Sequence, residues 1–222
     1  MIDIHLRKWD YVIMKIVDIS VEKIRLGKFL TELPEIYELR GVIENNCWHN
    51  HETTFDHTLK VLTNYKKFLE KADSKVVICL NKKIDRLPVK DLIFASILLH
   101  DLGKKETIVN YEDGSSFFPL HEEISAVKSK KILDKLDFSC SEKKYILNII
   151  KNHSHLHSIV DEENKKLSDQ FNQLIVKKPV FIFGLVVMVM MDITDSYLKQ
   201  TMPRKYQFLI DFYRQRLKTL TS

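Results

Sequence analysis

The sequence predicts an all-α protein, and three observations support this prediction. The chain of 222 residues has only five glycines and five prolines, which is few for the many tight turns of a β-sandwich or a β-barrel. Its hydrophobic fraction of 45% is sufficient for a sizeable core. The apolar residues recur with helical spacing along most of the chain. We therefore expect a bundle of helices joined by short loops, organised as a single domain over residues 1–222.

The individual helices follow from this spacing and from capping residues. Thr53 or Thr54 can cap a long helix that runs to about Lys71. Pro34 suits the first turn of a shorter helix, and Gly103 is a stop signal after an apolar helix. The predicted helices are Val21–Leu30, Pro34–Arg40, Thr54–Lys71, Lys75–Asn81, Val89–Leu99, Glu122–Leu136, Ser141–Asn152, Gln170–Ile175, Pro179–Lys199 and Arg204–Thr219.

One small β-hairpin interrupts the predicted helices. Asp113-Gly114 lies between the apolar runs at 107–111 and 116–118. An Asp-Gly pair in this position is a strong signal for a hairpin turn. We therefore expect an all-α fold with one short hairpin.

Charge, cysteine content and the length of apolar runs limit the class of protein that this sequence can encode. The net charge of +5, from 35 basic and 30 acidic residues, predicts a mixed, solvated surface that also suits an anionic ligand. Cys47, Cys79 and Cys140 form no CxxC pair and predict reduced thiols in a cytoplasmic protein. Charged residues among the first ten positions argue against a signal peptide. The longest apolar run, Val180–Met191, is shorter than the ~20 residues of a membrane span.

The dipeptide His100-Asp101 is the first sign of a polar site. It ends the apolar run Leu92–Leu99, and a buried carboxylate needs a cation beside it because an unpaired buried charge is costly. The alternative is a helix end at which Asp101 caps the next turn and His100 is exposed. Taken alone, the dipeptide fits both interpretations.

Asp192 repeats this pattern at the end of the apolar run Val186–Met191. A carboxylate in such a place is typical of a functional group, and the alternative is an ion pair with a lysine or arginine. Asp195, one turn later, fits a supporting position or the surface.

Several histidines are further candidate ligands. His57 lies near the start of the long helix, where a lone histidine is otherwise a packed or an exposed residue. His121 lies at a predicted helix start, where the helix dipole keeps the ring neutral, as a ligand must be. His153 follows a predicted helix. Together with His155 and His157 it could form a loose metal-binding loop in which one of the three is the ligand.

These donors together predict a centre for one or two divalent ions. Imidazoles and carboxylates without thiolates favour iron, manganese, cobalt, nickel or zinc, with iron or manganese preferred where several oxygens share the site, and magnesium stays an option. The sequence contains neither a GxxxxGK[ST] phosphate loop nor an HExxH motif.

The candidate residues also resemble a known family in their order along the chain. That order is His57, His100, Asp101, His121, His153 and Asp192. It resembles the pattern of the HD-domain metal-dependent phosphohydrolases, and residues 100–104 (HDLGK) are similar to their HDxGK signature. Residues 33–42 (LPEIYELRGV), 55–62 (FDHTLKVL) and 121–126 (HEEISA) resemble the HD region of bacterial tRNA nucleotidyltransferases. We find no nucleotidyltransferase head domain and expect a stand-alone relative of that region.

The resemblance implies an all-helical bundle with its core at about residues 30–200 and the site at the centre. The ligands implied for a first metal are His57, His100, Asp101 and Asp192. The ligands implied for a second metal are Asp101 as a bridge, His121 and His153. His155 is the rival of His153, because Ser154 separates the two histidines where the nucleotidyltransferase branch often pairs them. No acidic pair of the guanosine-tetraphosphate hydrolases and no Gly-Tyr-Pro motif of the cyclic dinucleotide phosphodiesterases is present.

The expected activity is hydrolysis of a nucleotide or nucleic-acid-derived phosphoester by metal-activated water. Asp101 and Lys104 are the expected catalytic residues. The resemblance places Lys104 beside the substrate phosphate, where it would offset charge on the phosphoryl oxygens. Lys104, Tyr111 and His155 are the expected substrate-binding residues.

Two further segments could border the substrate. Tyr111, Phe117 and Phe118 of the hairpin would form a lid over a base or ribose, or they belong to an ordinary packed loop. Trp48, His49 and His51, which precede the long helix, would line the entrance, or they lie on the surface.

Three other functions remain open at this point. The first is a non-catalytic HD module that binds metal and nucleotide, and the second is a di-iron oxygenase on the same fold. The third is an RNA-associated factor, whose affinity would fall steeply with salt; it is less favoured because the sequence shows no basic face. A 2′,3′-cyclic phosphate, a nucleoside monophosphate, a dinucleoside polyphosphate and a tRNA end all fit as substrates. The oligomeric state stays open.

Overall fold

The computed structural model of the protein describes residues 14–160, 177–194 and 196–222. Within these ranges the chain is mostly helical, with short antiparallel strand pairs. The helices are α1 (Val21–Arg25), α2 (Pro34–Glu38), α3 (Thr54–Lys71), α4 (Ser74–Asn81), α5 (Val89–Leu99), α6 (Lys104–Thr107), α7 (His121–Lys135), α8 (Cys140–Ile159), α9 (Pro179–Thr194), α10 (Leu198–Thr201) and α11 (Pro203–Thr221). Short 3-10 helices span Ile16–Asp18 and Leu39–Gly41. The all-α class predicted from the sequence is confirmed.

The strands form hairpins of two residues on each side. The pairs are β1 (Ile43–Glu44) with β2 (Glu52–Thr53), β3 (Lys83–Ile84) with β4 (Leu87–Pro88), and β5 (Val109–Asn110) with β6 (Ser116–Phe117). The last pair is the hairpin that the Asp-Gly signal predicts, and it is confirmed. The other two were not predicted, because strands of two residues are too short to show an alternating pattern.

Helices α5 and α9 form the centre of the bundle. Helix α9 contacts α3, α5, α8 and α11, while α5 contacts α3, α7 and α8. Both helices are apolar on nearly all sides: α9 is buried continuously from Ile182 to Met191. A helix that is hydrophobic all round belongs in an interior. The polar residues that follow these apolar runs therefore enter the core close to one another.

Helix α3 begins where the sequence predicts. The Thr53 side chain accepts a hydrogen bond from the backbone N–H of Asp56, which satisfies one unpaired donor of the first turn. The inward face of the helix, which includes Leu59 and Leu62, is buried. His57 lies in the first turns of this helix and is only 5% exposed.

Three predicted helix ends are wrong. Helix α1 ends at Arg25 rather than Leu30, because Gly27 adopts a left-handed φ of +75° that stops the helix. Helix α9 ends at Thr194 rather than continuing to residue 199. Helix α8 continues to Ile159. The loose His-x-His-x-His loop is therefore also wrong, since His153 and the two histidines after it are helical.

Two predictions fall on residues that lie outside the described ranges. They are the helix Gln170–Ile175 and the supporting position of Asp195. Within the described ranges, no helix combines the length and the apolar character needed to cross a membrane.

Candidate metal centre and its cavity

Five helical segments bring the predicted donors to one place. His57 comes from α3, His100 and Asp101 follow α5, His121 opens α7, His153 lies in α8 and Asp192 lies in α9. All of them except His100 line a cavity of about 510 Å³. His100 lies behind this wall and is 1% exposed. Burial of both His100 and Asp101 excludes the alternative of an exposed helix end.

One group of donors surrounds Oδ2 of Asp101. His100 Nε2 lies 3.0 Å from this oxygen and His57 Nε2 lies 3.8 Å from it. Asp192 Oδ1 closes the group, at 2.8 Å from His57 Nε2 and 3.7 Å from His100 Nε2. Two carboxylates and two imidazoles therefore converge here, and we call these four residues the first side.

A second group lies around Oδ1 of the same carboxylate. His121 Nε2 is 3.5 Å and His153 Nε2 is 3.8 Å from Asp101 Oδ1, and the two imidazole nitrogens are 3.3 Å apart. The hydroxyl of Ser154 lies 3.1 Å from His153 Nε2. We call Oδ1 of Asp101, His121, His153 and Ser154 the second side. Ser154 was not predicted, because a serine has no distinctive signal in the sequence.

The orientation of three imidazoles is fixed by their own backbone. In each, Nδ1 donates a hydrogen bond to the carbonyl oxygen three residues earlier. The pairs are His100 with Ile97 at 2.7 Å, His121 with Phe118 at 2.9 Å, and His153 with Ile150 at 2.6 Å. A carbonyl only accepts, so Nδ1 carries the proton and Nε2 is left for a metal. Metal-binding histidines are typically held in this way.

Buried polar atoms that lack hydrogen-bond partners also favour a cation at this place. His100 Nε2 and both carboxylate oxygens of Asp101 are buried, and within the described residues they make no hydrogen bond of acceptable direction. His100 Nε2 and Asp101 Oδ2 are 3.0 Å apart, but the angle between them does not allow a hydrogen bond. Buried polar atoms are usually hydrogen-bonded. Nitrogen and oxygen donors without thiolates suit a divalent transition metal, so the residues present fit a metal ion.

Burial and neighbouring charges shift the pKa values of these groups. Burial lowers the pKa of His100, but Asp101 and Asp192 outweigh it and raise this pKa to about 10. Burial opposes ionisation of Asp101, but His100 and Lys104 hold the pKa of its carboxyl well below the ordinary range. Burial, together with electrostatic interactions with the neighbouring imidazoles of His100 and His121, holds the pKa of His153 well below the ordinary range. Asp101 is therefore anionic and His153 is neutral, whereas His100 without a metal carries a second proton on Nε2, which a bound metal would replace.

Lys104 lines the cavity but is held by two carboxylates. Its Nζ lies 2.9 Å from Asp101 Oδ2 and 2.7 Å from Glu44 Oε2. Glu44 is fully buried, and its Oε2 also lies 3.2 Å from His49 Nε2. Burial would raise the pKa of Glu44, but Lys104 and His49 lower it, so this carboxylate is anionic. A buried chain of charged and polar groups thus connects His49 to Asp101.

Gly103 is required by a close approach of two helices. Its φ of −79° is ordinary, so turn geometry does not require a glycine. A Cβ at this position would lie 2.6 Å from the backbone nitrogen of Ser125 and would also meet the carbonyl oxygen of His121. The backbone N–H of Gly103 donates to Ser125 Oγ at 2.8 Å. The glycine therefore lets the chain after Asp101 pack directly against the start of α7.

The structure separates the remaining candidates. Trp48 and His49 line the cavity, as do Phe117 and Phe118. The lining of this cavity does not include Tyr111, which is 53% exposed in the hairpin turn. His155 is exposed and lines a different cavity, beside Tyr145 and Phe181, and His51 is also exposed.

Comparison with known proteins identifies the family of the chain. The family model of the HD domain matches residues 54–176, which is more than half of the chain. The chain belongs to the HD-domain family. The superfamily predicted from the sequence is thus confirmed, and its members are mostly metal-dependent hydrolases. Residues 161–176 of the match lie outside the described ranges.

Curated relatives of this HD domain are large bifunctional enzymes. The bifunctional uridylyltransferase/uridylyl-removing enzyme of Pseudomonas putida is 27% identical to it over 144 residues. The enzyme of the same name from Azotobacter vinelandii is 26% identical over 144 residues. The match covers 65% of this chain but only 14% of each relative's length. The closer resemblance to the tRNA nucleotidyltransferase branch stays a prediction.

Proposed function

We propose that this HD domain is a metal-dependent hydrolase of a phosphoester in a nucleotide or a nucleic-acid-derived compound. The observation that carries the proposal is Asp101, whose two oxygens each meet a separate group of imidazoles at a cavity wall. The cavity of about 510 Å³ is large enough for a small-molecule ligand. The name of the relatives, which includes removal of a uridylyl group, supports a nucleotide-containing substrate.

The proposed metal ligands follow from the two sides of Asp101. His57, His100, Asp101 and Asp192 would hold the first ion. Asp101, through its other oxygen, would hold the second ion together with His121 and His153. Iron, manganese, cobalt, nickel and zinc suit these donors, and magnesium stays an option. A divalent ion held there would supply a Lewis acid that polarises a phosphoryl oxygen and lowers the pKa of water.

The chain's own residues have distinct proposed roles. Asp101 fixes the spacing of the two ligand groups. Lys104 has three N–H donors, one of which bonds Glu44 Oε2 at 2.7 Å, and its Nζ forms an ion pair with Asp101 Oδ2 at 2.9 Å. A donor that Glu44 does not use can approach a phosphoryl oxygen in the cavity, where the positive charge offsets charge that develops there. Glu44 and His49 hold Lys104 in place, and low exposure of the whole group strengthens these interactions by excluding water.

The positions of Tyr111 and His155 do not favour the substrate-binding roles expected from the sequence. Tyr111 is exposed, and His155 lines another cavity. We propose a small phosphorylated molecule as the ligand of the main cavity, with RNA as a weaker candidate.

Metal content and turnover test the proposal together. Elemental analysis of the purified protein should show near-stoichiometric transition metal. Hydrolysis of 2′,3′-cyclic nucleotides and of a chromogenic phosphodiester should be detectable and should disappear in His100→Ala. Two variants on α8 test which histidine contributes to the site. His153→Ala should lose activity. His155→Ala should retain it, because His155 is exposed outside this cavity.

The other outcomes distinguish the alternative functions. Bound metal without turnover would favour a non-catalytic module that binds metal and nucleotide. An iron absorption band with oxygen uptake and no phosphate release would favour an oxygenase. A protein that binds no metal after loading with manganese, iron or cobalt would contradict the central proposal.

A further inference from the structure

The cavity beside the metal centre has an apolar part that metal ligation does not explain. Its lining includes Trp48, Phe117 and Phe118 besides the candidate ligands. A phosphoryl group bound beside Lys104 and the candidate metal ligands would occupy only the polar part. Ligand sites in proteins commonly combine apolar and aromatic walls with a few polar groups that fix orientation. The aromatic wall therefore suits another portion of the same ligand.

Phe117 is the most informative member of this wall. It lines the cavity although it is 55% exposed, whereas its neighbours Ser116 and Phe118 are buried. Phe118 is covered on one face by Lys104, whose Nζ lies 5.3 Å from the ring centroid. An exposed aromatic ring that borders a cavity next to a charged centre offers a surface for stacking. The exposed face of Phe117 is therefore available for stacking against a planar group of a ligand.

Hydrogen bonds fix the wall to neighbouring segments. The backbone N–H of Asn45 donates to Ser116 Oγ at 2.7 Å, and the backbone N–H of Ser116 donates to the Asn45 carbonyl at 2.8 Å. The carbonyl of Trp48 accepts from the N–H of Tyr197 at 2.7 Å. These bonds connect the loop carrying Trp48 to β6 and to the start of α10. The aromatic surface is therefore formed before a ligand arrives.

A positive charge lies at the edge of the same wall. Lys205 is exposed and lines the cavity, and its Nζ lies 5.7 Å from the Trp48 ring centroid. Aromatic rings next to lysines suit ligands that combine a planar base with anionic phosphate. A methyl or sugar phosphate would use the charge but not the rings.

We propose that Trp48 and Phe117 form a nucleobase subsite, so that the substrate is a phosphodiester of a nucleoside monophosphate. The subsite rests on the proposed hydrolase function for its catalytic consequence but not for binding. The phosphoryl group would lie beside Lys104 and the candidate metal ligands while the base stacks on the aromatic wall. We therefore expect the protein to prefer nucleotidyl esters over simple alkyl esters, because an alkyl group would not contact the aromatic wall.

Two chromogenic substrates with the same leaving group test the kinetic consequence. The p-nitrophenyl ester of uridine 5′-monophosphate and methyl p-nitrophenyl phosphate differ in the nucleoside. The ratio of their kcat/KM values should favour the uridylyl ester, and Phe117→Ala should reduce this ratio about tenfold, mainly through KM, as expected for one lost stacking contact. Val109 is the matched control: it pairs with Phe117 across the hairpin and is 41% exposed, but it is not among the lining residues. Val109→Ala should leave the ratio unchanged.

Binding is measured separately from turnover. The chain has two tryptophans, so a Trp9→Phe variant leaves Trp48 as the only tryptophan, whose emission can be excited selectively over tyrosine. Uridine 5′-monophosphate should quench its emission, and Phe117→Ala should weaken this binding about tenfold. Quenching that depends on Phe117 supports the subsite even if neither ester is hydrolysed, in which case only the hydrolase proposal fails. Hydrolysis of both esters with a ratio that Phe117→Ala does not change would overturn the subsite, and so would the absence of quenching.

The source of the nucleotidyl group is a separate comparison. A peptide that carries a uridylyl ester and a short oligouridylate both contain the group that the subsite would hold. Faster cleavage of one identifies a nucleotidylated protein or RNA as the source, and in either case Phe117→Ala should slow that cleavage. Cleavage of both at rates that Phe117→Ala does not alter would overturn the subsite.

Discussion

The two sides of Asp101 differ in charge. The first side contains the carboxylates of Asp101 and Asp192 together with two histidines, and Lys104 lies 2.9 Å from Asp101 Oδ2. The second side has imidazoles and the hydroxyl of Ser154, and it shares only one carboxylate with the first. A divalent cation gains more from two anionic ligands than from one. We therefore expect the first side to bind metal more tightly, and the second to depend more on Asp101.

The shared carboxylate should have the largest effect. Asp101→Asn keeps the shape of the side chain but removes the charge that both sides use. We expect hydrolysis to fall by at least about 10³-fold, the order of loss when a central electrostatic group is removed. Elemental analysis should show loss of metal from both sides, while circular dichroism should show an unchanged helical protein. Retained turnover would contradict the role of Asp101.

Removal of one ligand from each side tests the difference directly. Asp192→Asn should weaken the tighter ion, whereas His121→Ala should leave about one ion per chain and release the other. We expect affinity losses of at least about 10–100-fold at the altered side, which is the range for outer-shell partners alone. Metal titration followed by dialysis and elemental analysis measures both. Equal losses in the two variants would show that the sides do not differ.

Gly103 connects the centre to α7 and therefore acts on the second side. Gly103→Ala introduces a Cβ at 2.6 Å from the Ser125 nitrogen and should push the start of α7, with His121, away from Asp101. Overpacking of this kind lowers the free energy of unfolding by about 1–3 kcal/mol, and urea denaturation measures it. Gly41→Ala is the control, because a Cβ there meets nothing within 4 Å. A stable Gly103→Ala protein with a full complement of metal would contradict this account.

Glu44 acts on the first side through Lys104. Glu44→Gln removes one of two charges that hold the ammonium, so Lys104 should shift toward Asp101 and leave the phosphoryl position. We expect kcat to fall about tenfold with the metal retained, in keeping with the ~1.5–3 kcal/mol of a hydrogen bond to a charged group. Glu38→Gln is the matched control: Glu38 pairs with the neighbouring Lys105 at 2.9 Å, but both are exposed. Exposed pairs contribute ~0–1 kcal/mol, so this variant should behave as wild type.

Long periodic segments made the bundle predictable. Helices α3 and α5 match their predicted bounds. Thr53 caps the start of α3, and the apolar run of α5 ends at the polar pair His100-Asp101. The end of α8 was missed because His153 and its neighbours interrupt the apolar pattern, and the sequence does not show that their backbone stays helical. The organisation of residues 1–222 as one domain stays a prediction.

The candidate site was predictable as a set of residue types but not as a geometry. His100 and Asp101 stand out because ionisable groups rarely follow so apolar a run. Glu44 gave no such signal, since it lies in a polar stretch next to Asn45 and Asn46 that reads as surface. Its burial depends on the pairing of β1 with β2 and on Lys104, which is 60 residues away in sequence. Long-range contacts of this kind are absent from local patterns.

The hydrogen bonds from three imidazole Nδ1 atoms to carbonyls of their own chain segments have a consequence for the thermodynamics of metal binding. The partners lie three residues back in each case, so the local backbone orders the rings as it forms. The loss of side-chain rotational entropy then accompanies folding and not ion capture. Metal binding should therefore need little rearrangement of these side chains. The ion would connect helices whose donor atoms are already in place.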